Sequence, residues 1–480
     1  MRLPRAPSEL WLVAGFKSLV SLLVLAAGFR ALSDDDYARV HIAQSFAQAP
    51  SFDPSGTSWL PLPFWLTGAA MALLGTDPIV ARVVAVASGV LGVALLWAAA
   101  RALGVGRQGA LLGATIAAAF PYSAWLGVAT VPELLTASLI VFALATAASP
   151  NPTQRLAGGV LLAAAALSRY EAWPVVLGLA ALGAWDALRH RDLRRLLPAV
   201  IAALGPLSWL VSGLVRHGSA FFFVKRVAAY HAAVGGDARP AWERLLDKPI
   251  ALVRCEPELM ALLVVLLVAQ LSRGTAPLGR YARVGLGLGA LLAFLMIGDV
   301  RGAAPTHHAE RTLLACWLAS ALLVGDLACS LRVRLSPLTR RLTTLGALSA
   351  VLCAALFARP WYARRDGFID RSDHVELGRA ARAAAPGRVL LVSTPDYGYY
   401  SVFTGYGSPE SSLAIGGGDP RLPPRQGAPA SPAEFMKYIS NTGAHWLVVT
   451  GDEQTALARR AGATPWAARG ELSLLRAPGL

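Results

Sequence analysis

Charge is scarce in this 480-residue chain: only 15% of its residues are Asp, Glu, Lys or Arg, against about a quarter in soluble domains. That scarcity, with 55% hydrophobic residues and a mean hydropathy of +0.50, excludes an ordinary water-soluble domain. Lysine is nearly missing. Lys17, Lys225, Lys248 and Lys437 are the only four, so arginine supplies almost all of the net charge of +15. Those arginines sit in short loops between apolar runs, which reports topology and excludes a nucleic-acid footprint. Cysteine is as sparse: Cys255, Cys316, Cys329 and Cys353 lie in or beside apolar segments with no CxxC pair, so they read as small apolar residues, neither a disulfide framework nor a metal site. A cleavable signal is absent as well. The run 10–32 is too long and lacks a small-residue cleavage site, which makes it an uncleaved first helix.

What is present is a series of apolar runs. A spanning helix needs about 20 predominantly apolar residues, and eleven runs qualify or nearly so: 10–32, 80–100, 108–127, 131–148, 156–168, 172–188, 196–215, 250–271, 283–298, 312–330 and 342–358. Short basic loops face the cytoplasm. With the N-terminus inside, five consecutive inside loops carry the arginines, from Arg101 and Arg107 to Arg340 and Arg341. The opposite loops then lie outside and hold most of the acidic residues and His. Residues 60–75 open with Pro61 and Pro63 and read as an interfacial or re-entrant helix in an outer loop, 33–79.

After about residue 360 the pattern changes. Strand-like runs at 388–394, 444–450 and 471–476 alternate with helical stretches at 373–385 and near 453–462, which predicts a small α/β domain. The expected fold is therefore an α-helical polytopic membrane protein of about eleven transmembrane helices over 1–360, with an extracytoplasmic α/β domain over 361–480, in the plasma (inner) membrane.

The polar residues with chemical promise fall in the outer loops. Ser33 is followed by Asp34, Asp35, Asp36 and Tyr37. Ser and Asp are good helix caps, yet three adjacent carboxylates repel one another and also suit a general base or hard-oxygen ligation of a divalent cation such as Mg or Mn, through Asp34 and Asp36. Trp59, Pro61 and Trp65 serve either as interfacial anchors or, with Tyr37, as a substrate wall. Glu133 stands at the mouth of an apolar helix, where a carboxylate is costly unless paired or useful. Arg169 and Glu171 flank a turn, either as a self-contained ion pair or as a phosphate grip, since a guanidinium fork matches phosphate oxygens. The connector from Asp299 to Arg311 holds Arg301, His307, His308 and Glu310; its spacing fits no zinc motif, Arg311 and Arg301 suit a donor phosphate better, and His307 joins the substrate wall.

The order of these features resembles the GT-C superfamily of membrane glycosyltransferases, in the branch of the protein O-mannosyltransferases and lipid A aminoarabinose transferases. The resemblance rests on Asp34-Asp35 after the first helix, the Pro-rich segment Pro61–Trp65, then Leu74-Gly75, Ala81-Arg82, Gly92 and Arg101-Ala102-Leu103-Gly104, and a second acidic position at Glu133. It covers residues 10–190 well and later helices, including Arg311, loosely. It implies inverting transfer of a sugar from a polyprenyl-phosphate carrier to a lipid, protein or glycan acceptor, with a first-loop Asp as base, Glu133 as the second acidic residue, and no redox cofactor. Two rivals come from other classes. A transporter predicts mid-helix charges and inverted repeats, whereas these charges sit at the outer rim; an envelope scaffold would make the acidic cluster mere surface.

Overall fold

A computed structural model of the chain describes residues 8–233, 239–272, 278–302, 309–331, 368–394, 396–415 and 429–478. They fall into two compact units. One contains the described residues within 1–29, 85–128 and 132–365; the other contains those within 30–84, 129–131 and 366–480.

The first unit is helical. Ten of the eleven expected runs lie on described residues, and each is occupied by helix; the run 342–358 lies outside them. Among the described residues, five helices are long and apolar enough to cross a membrane: Ser8–Ala26, Pro78–Ala102, Leu193–His217, Leu278–Val300 and Glu310–Ser330. Two expected runs are broken. The run 108–127 divides into Arg107–Ala119 and Pro121–Leu126, because Pro121 has no N–H to continue the ladder. The run 250–271 begins inside Ala241–Arg254 and restarts at Pro257–Leu271, where Glu256 turns its carboxylate onto the Tyr122 backbone N–H at 2.9 Å. The helix Glu133–Thr146 has only 14 residues, about 21 Å at 1.5 Å per residue, short of the ~30 Å hydrocarbon layer.

Small residues set the closest packing, as in membranes, where helices gain little from hydrophobicity alone. Gly109 and Gly113 on Arg107–Ala119 meet Gly325 and Leu322 on the helix Leu314–Leu331, backbone against backbone. A Cβ at Gly113 would stand 2.9 Å from the Leu322 Cα.

The second unit holds a five-stranded sheet: β1 (Leu390–Ser393), β2 (Ser412–Ile415), β3 (Trp446–Thr450), β4 (Thr464–Arg469) and β5 (Leu472–Arg476), in the order β2-β1-β3-β5-β4. β1 runs parallel to β2 and β3, and β5 is antiparallel to β3 and β4. Alternate residues serve opposite faces. Leu390, Val392, Trp446 and Val448 pack against Leu377 and Tyr406 of the helices Ser372–Ala384 and Tyr399–Tyr406. Leu391, Leu447 and Val449 pack against Phe435 and Ala458 of Pro432–Thr442 and Gly451–Arg460.

The first loop belongs to this unit rather than to the helical one with which the sequence groups it. Its helix Asp34–Gln48 packs on Leu62–Leu74, the expected interfacial helix, through Val40, Ala43 and Met71. Gln44 donates through Nε2 to the carbonyls of Thr76 and Thr404, each at 2.9 Å. Thr404 donates to the Tyr37 carbonyl at 3.0 Å, and Ile369 donates its N–H to the Ala31 carbonyl at 3.1 Å.

Candidate active site

Ser33 ends the extended entry to Asp34–Gln48, and the three carboxylates occupy the helix's first turn, where backbone N–H groups point outward and favour negative charge. Each has a different environment. Asp36 is 2% exposed. Its Oδ2 accepts from the N–H groups of Leu32 (3.1 Å) and Ser33 (3.3 Å), and its Oδ1 from the Thr130 N–H (2.8 Å) and hydroxyl (3.1 Å). That is a cap and a loop tie, and it occupies the carboxylate. Asp34 accepts from Arg371 at both oxygens, Nε to Oδ1 and Nη2 to Oδ2, each at 3.1 Å. Asp35 is partly buried.

Arg371 also donates to Asp396 Oδ2 at 2.6 Å, while Asp396 Oδ1 accepts from the Gly398 N–H at 2.8 Å. Burial works against charge on Arg371, but Asp34 and Asp396 outweigh it and lift its pKa above the usual value. Burial likewise opposes ionisation of Asp396, yet the bond from Arg371 wins and holds the carboxyl below the ordinary range. His374 rests its Nδ1 3.2 Å from the Gly398 carbonyl, and burial depresses its pKa. Tyr37 is pushed up to about 12, chiefly by burial, so its phenol stays protonated at neutral pH. Sequence reading missed Arg371, His374 and Asp396 because nothing local marks a residue whose partner lies 337 positions away.

A second cluster lies in the helical unit. Glu133, 2% exposed, opens the helix Glu133–Thr146. Arg169 donates through Nη1 to Glu133 Oε1 at 2.5 Å and through Nε (2.8 Å) and Nη2 (2.5 Å) to Glu171 Oε1. Arg311, 5% exposed, brings Nη1 within 3.9 Å of the same Glu133 oxygen. Glu133 Oε2 is buried and has no hydrogen-bond partner among the described residues. The intervening Tyr170 stacks on Phe223 with centroids 4.7 Å apart and accepts from the Trp209 indole at 3.1 Å.

The other expected site residues divide. Trp59 faces a protein cation: the Arg39 guanidinium lies 4.6 Å from its ring centroid, and Trp59 stacks on Phe64. Pro61 is buried as the cap of Leu62–Leu74. Arg301 is exposed and makes no ion pair with a described residue, so the structure does not bring it to Glu133. His307 and His308 lie outside the described residues. Among the described residues no group of three His, Cys, Asp or Glu is arranged to hold a metal ion, and the oxygens of Asp34 and Asp36 proposed for a cation already face Arg371, Thr130 and backbone N–H groups.

The family model described as dolichyl-phosphate-mannose-protein mannosyltransferase matches residues 54–212. ArnT from Cupriavidus metallidurans in the apo state shares the fold at a TM-score of 0.60 with 14% identity, over 97% of each chain. The same protein bound to undecaprenyl phosphate does so at 0.62 with 14% identity, over 98% of each chain. No curated protein sequence matches. The family model takes in Glu133, Arg169 and Glu171, and the fold match extends over both clusters and the C-terminal sheet. The chain thus shares the fold of ArnT and, over residues 54–212, is similar to the dolichyl-phosphate-mannose-protein mannosyltransferase family.

Proposed function

We propose that this protein transfers a sugar, with inversion, from a polyprenyl-phosphate carrier to an acceptor at the outer face of the membrane. The observation that carries the reading is the fold match over 98% of the chain to a protein solved with undecaprenyl phosphate bound. A donor with a long polyprenyl tail is approached from within the bilayer, which suits an enzyme built of apolar helices. The reading places the N-terminus inside and the C-terminal domain outside. A multi-pass enzyme of the plasma membrane follows.

Asp34 is the general base in this scheme. Arg371 orients it while leaving lone pairs for an incoming hydroxyl or amine, whereas Asp36 is spent on its cap. Asp34 takes the acceptor proton, the acceptor atom bonds to the anomeric carbon, and the bond from that carbon to the phosphate oxygen breaks. Polyprenyl phosphate leaves with the electron pair. Arg311 meets the growing phosphate charge, since preorganised cations act most strongly where charge develops. Arg169 is committed to two carboxylates and positions Glu133, whose unpartnered Oε2 accepts from a sugar hydroxyl.

The test is donor affinity. Arg311→Ala weakens binding of the polyprenyl-phosphate donor by about tenfold or more, the worth of one charge-assisted hydrogen bond. Unchanged affinity removes Arg311 from the phosphate site. Asp34→Asn leaves donor affinity intact and abolishes transfer; full transfer by that variant, with none by Asp35→Asn, moves the base to Asp35.

A further inference from the structure

At the far end of Glu133–Thr146 from Glu133, the helical unit has a shallow, open recess lined by Ala147, Arg155, Asp186, Arg195, Pro198 and Arg283 among others. The helix places it about 20 Å from the Glu133 cluster. The arginine pattern assigns that end to the cytoplasmic side. Three guanidiniums against one carboxylate leave an excess of positive charge in a hollow between helices.

Part of that charge has a structural job. Arg283 forms a fork with Asp186 (2.7 and 3.0 Å), near the C-terminal end of Ala172–His190, and Arg155 donates to the Ser149 carbonyl at 2.7 Å, just past the end of Glu133–Thr146. Arg195 is different. Its guanidinium is 30% exposed, pairs only loosely with Asp192 (Nε to Oδ2, 3.7 Å) and makes no hydrogen bond to a described residue. That looser pairing leaves its donors open to a ligand.

Its surroundings are apolar. Trp185 is 64% exposed, Leu188 78% and Val200 57%, on the helices Ala172–His190 and Leu197–His217 that form the wall. Trp favours the level of the headgroups. A ligand that places a phosphate among the arginines and chains along these helices satisfies both features, whereas free phosphate satisfies one. We propose that this recess binds the headgroup phosphate of an anionic phospholipid, separately from the transfer site. Basic pockets between spanning helices on the cytoplasmic side suit such headgroups.

The experiment uses the full chain in nanodiscs of equimolar phosphatidylglycerol and phosphatidylcholine, then counts retained lipid by native mass spectrometry after mild extraction. The protein is expected to retain phosphatidylglycerol over phosphatidylcholine. Arg155→Gln with Arg195→Gln lowers that preference about tenfold. Arg195→Gln alone lowers it measurably and tests the site without touching the Arg155 cap, should the double variant unfold. A control, Arg189→Gln with Arg191→Gln, changes two exposed arginines outside the recess and keeps the preference. Equal retention of both lipids overturns the proposal. So does equal loss in the control, or displacement of the lipid by millimolar inorganic phosphate.

Discussion

Replacing Asp36 separates the architectural carboxylate of the first loop from the chemical ones. Asp36→Ala removes one acceptor group from four donors: the N–H groups of Leu32, Ser33 and Thr130, and the Thr130 hydroxyl. Losing the cap costs about 1–2 kcal/mol. Leaving a buried N–H unpaired costs about 1–3 kcal/mol. The hydroxyl can turn elsewhere, and neighbouring losses relax together, so the net cost is about 3–5 kcal/mol. In a unit of this size each kcal/mol is worth about 2–4 °C, so the unfolding midpoint falls by roughly 6–20 °C. Asp36→Asn keeps one carbonyl oxygen and loses less than half of that. Tryptophan fluorescence of the detergent-solubilised protein reads the midpoint, and transfer per folded molecule is measured beside it. A midpoint within about 2 °C of the parent for Asp36→Ala, or transfer lost with the midpoint unmoved, refutes the structural assignment.

Other outcomes follow from the same contacts. Arg371→Met breaks the fork to Asp34 and leaves Asp396 without its cation; kcat falls by about tenfold or more while donor affinity holds, because the change acts through the orientation of the base. An equal change in donor affinity counts against a positioning role. Acid destabilises the second unit in two steps. The neutral ring of His374 is favoured in the folded state, so its contribution is present above about 6.5 and lost as pH falls below; Asp396, held low, contributes above its unfolded value near 4 and loses it below. Unfolding midpoints against pH show the upper step, His374→Asn removes it, and a profile flat from pH 7 to 5 contradicts the assignment.

The membrane character was legible because composition alone carries it, and the apolar runs locate every helix they cover among the described residues. The two breaks fall at Pro121 and Pro257, which lack the N–H to continue a helix; the bond from the Tyr122 backbone to Glu256, 134 residues away, has no local mark. In the α/β part the buried strands β1 and β3 are visible as apolar runs. The two edge strands are not: β2 is four residues long, and β4 carries Pro465 and leaves most of its residues exposed. The site was half legible. Asp34 to Asp36, Glu133, Arg169 and Glu171 stand out by type, place and order. Their division of labour does not, because the partners Thr130 and Arg371 are set by tertiary packing.

The most direct test compares three strains by mass spectrometry of lipid-linked sugars and envelope glycans: one making the protein, one lacking it, and one making Asp34→Asn at equal abundance. Loss of one glycan modification together with accumulation of its polyprenyl-phosphate sugar, in both the deletion and the Asp34→Asn strain, is the predicted result. Identical lipid-linked pools and glycans in all three contradict the account.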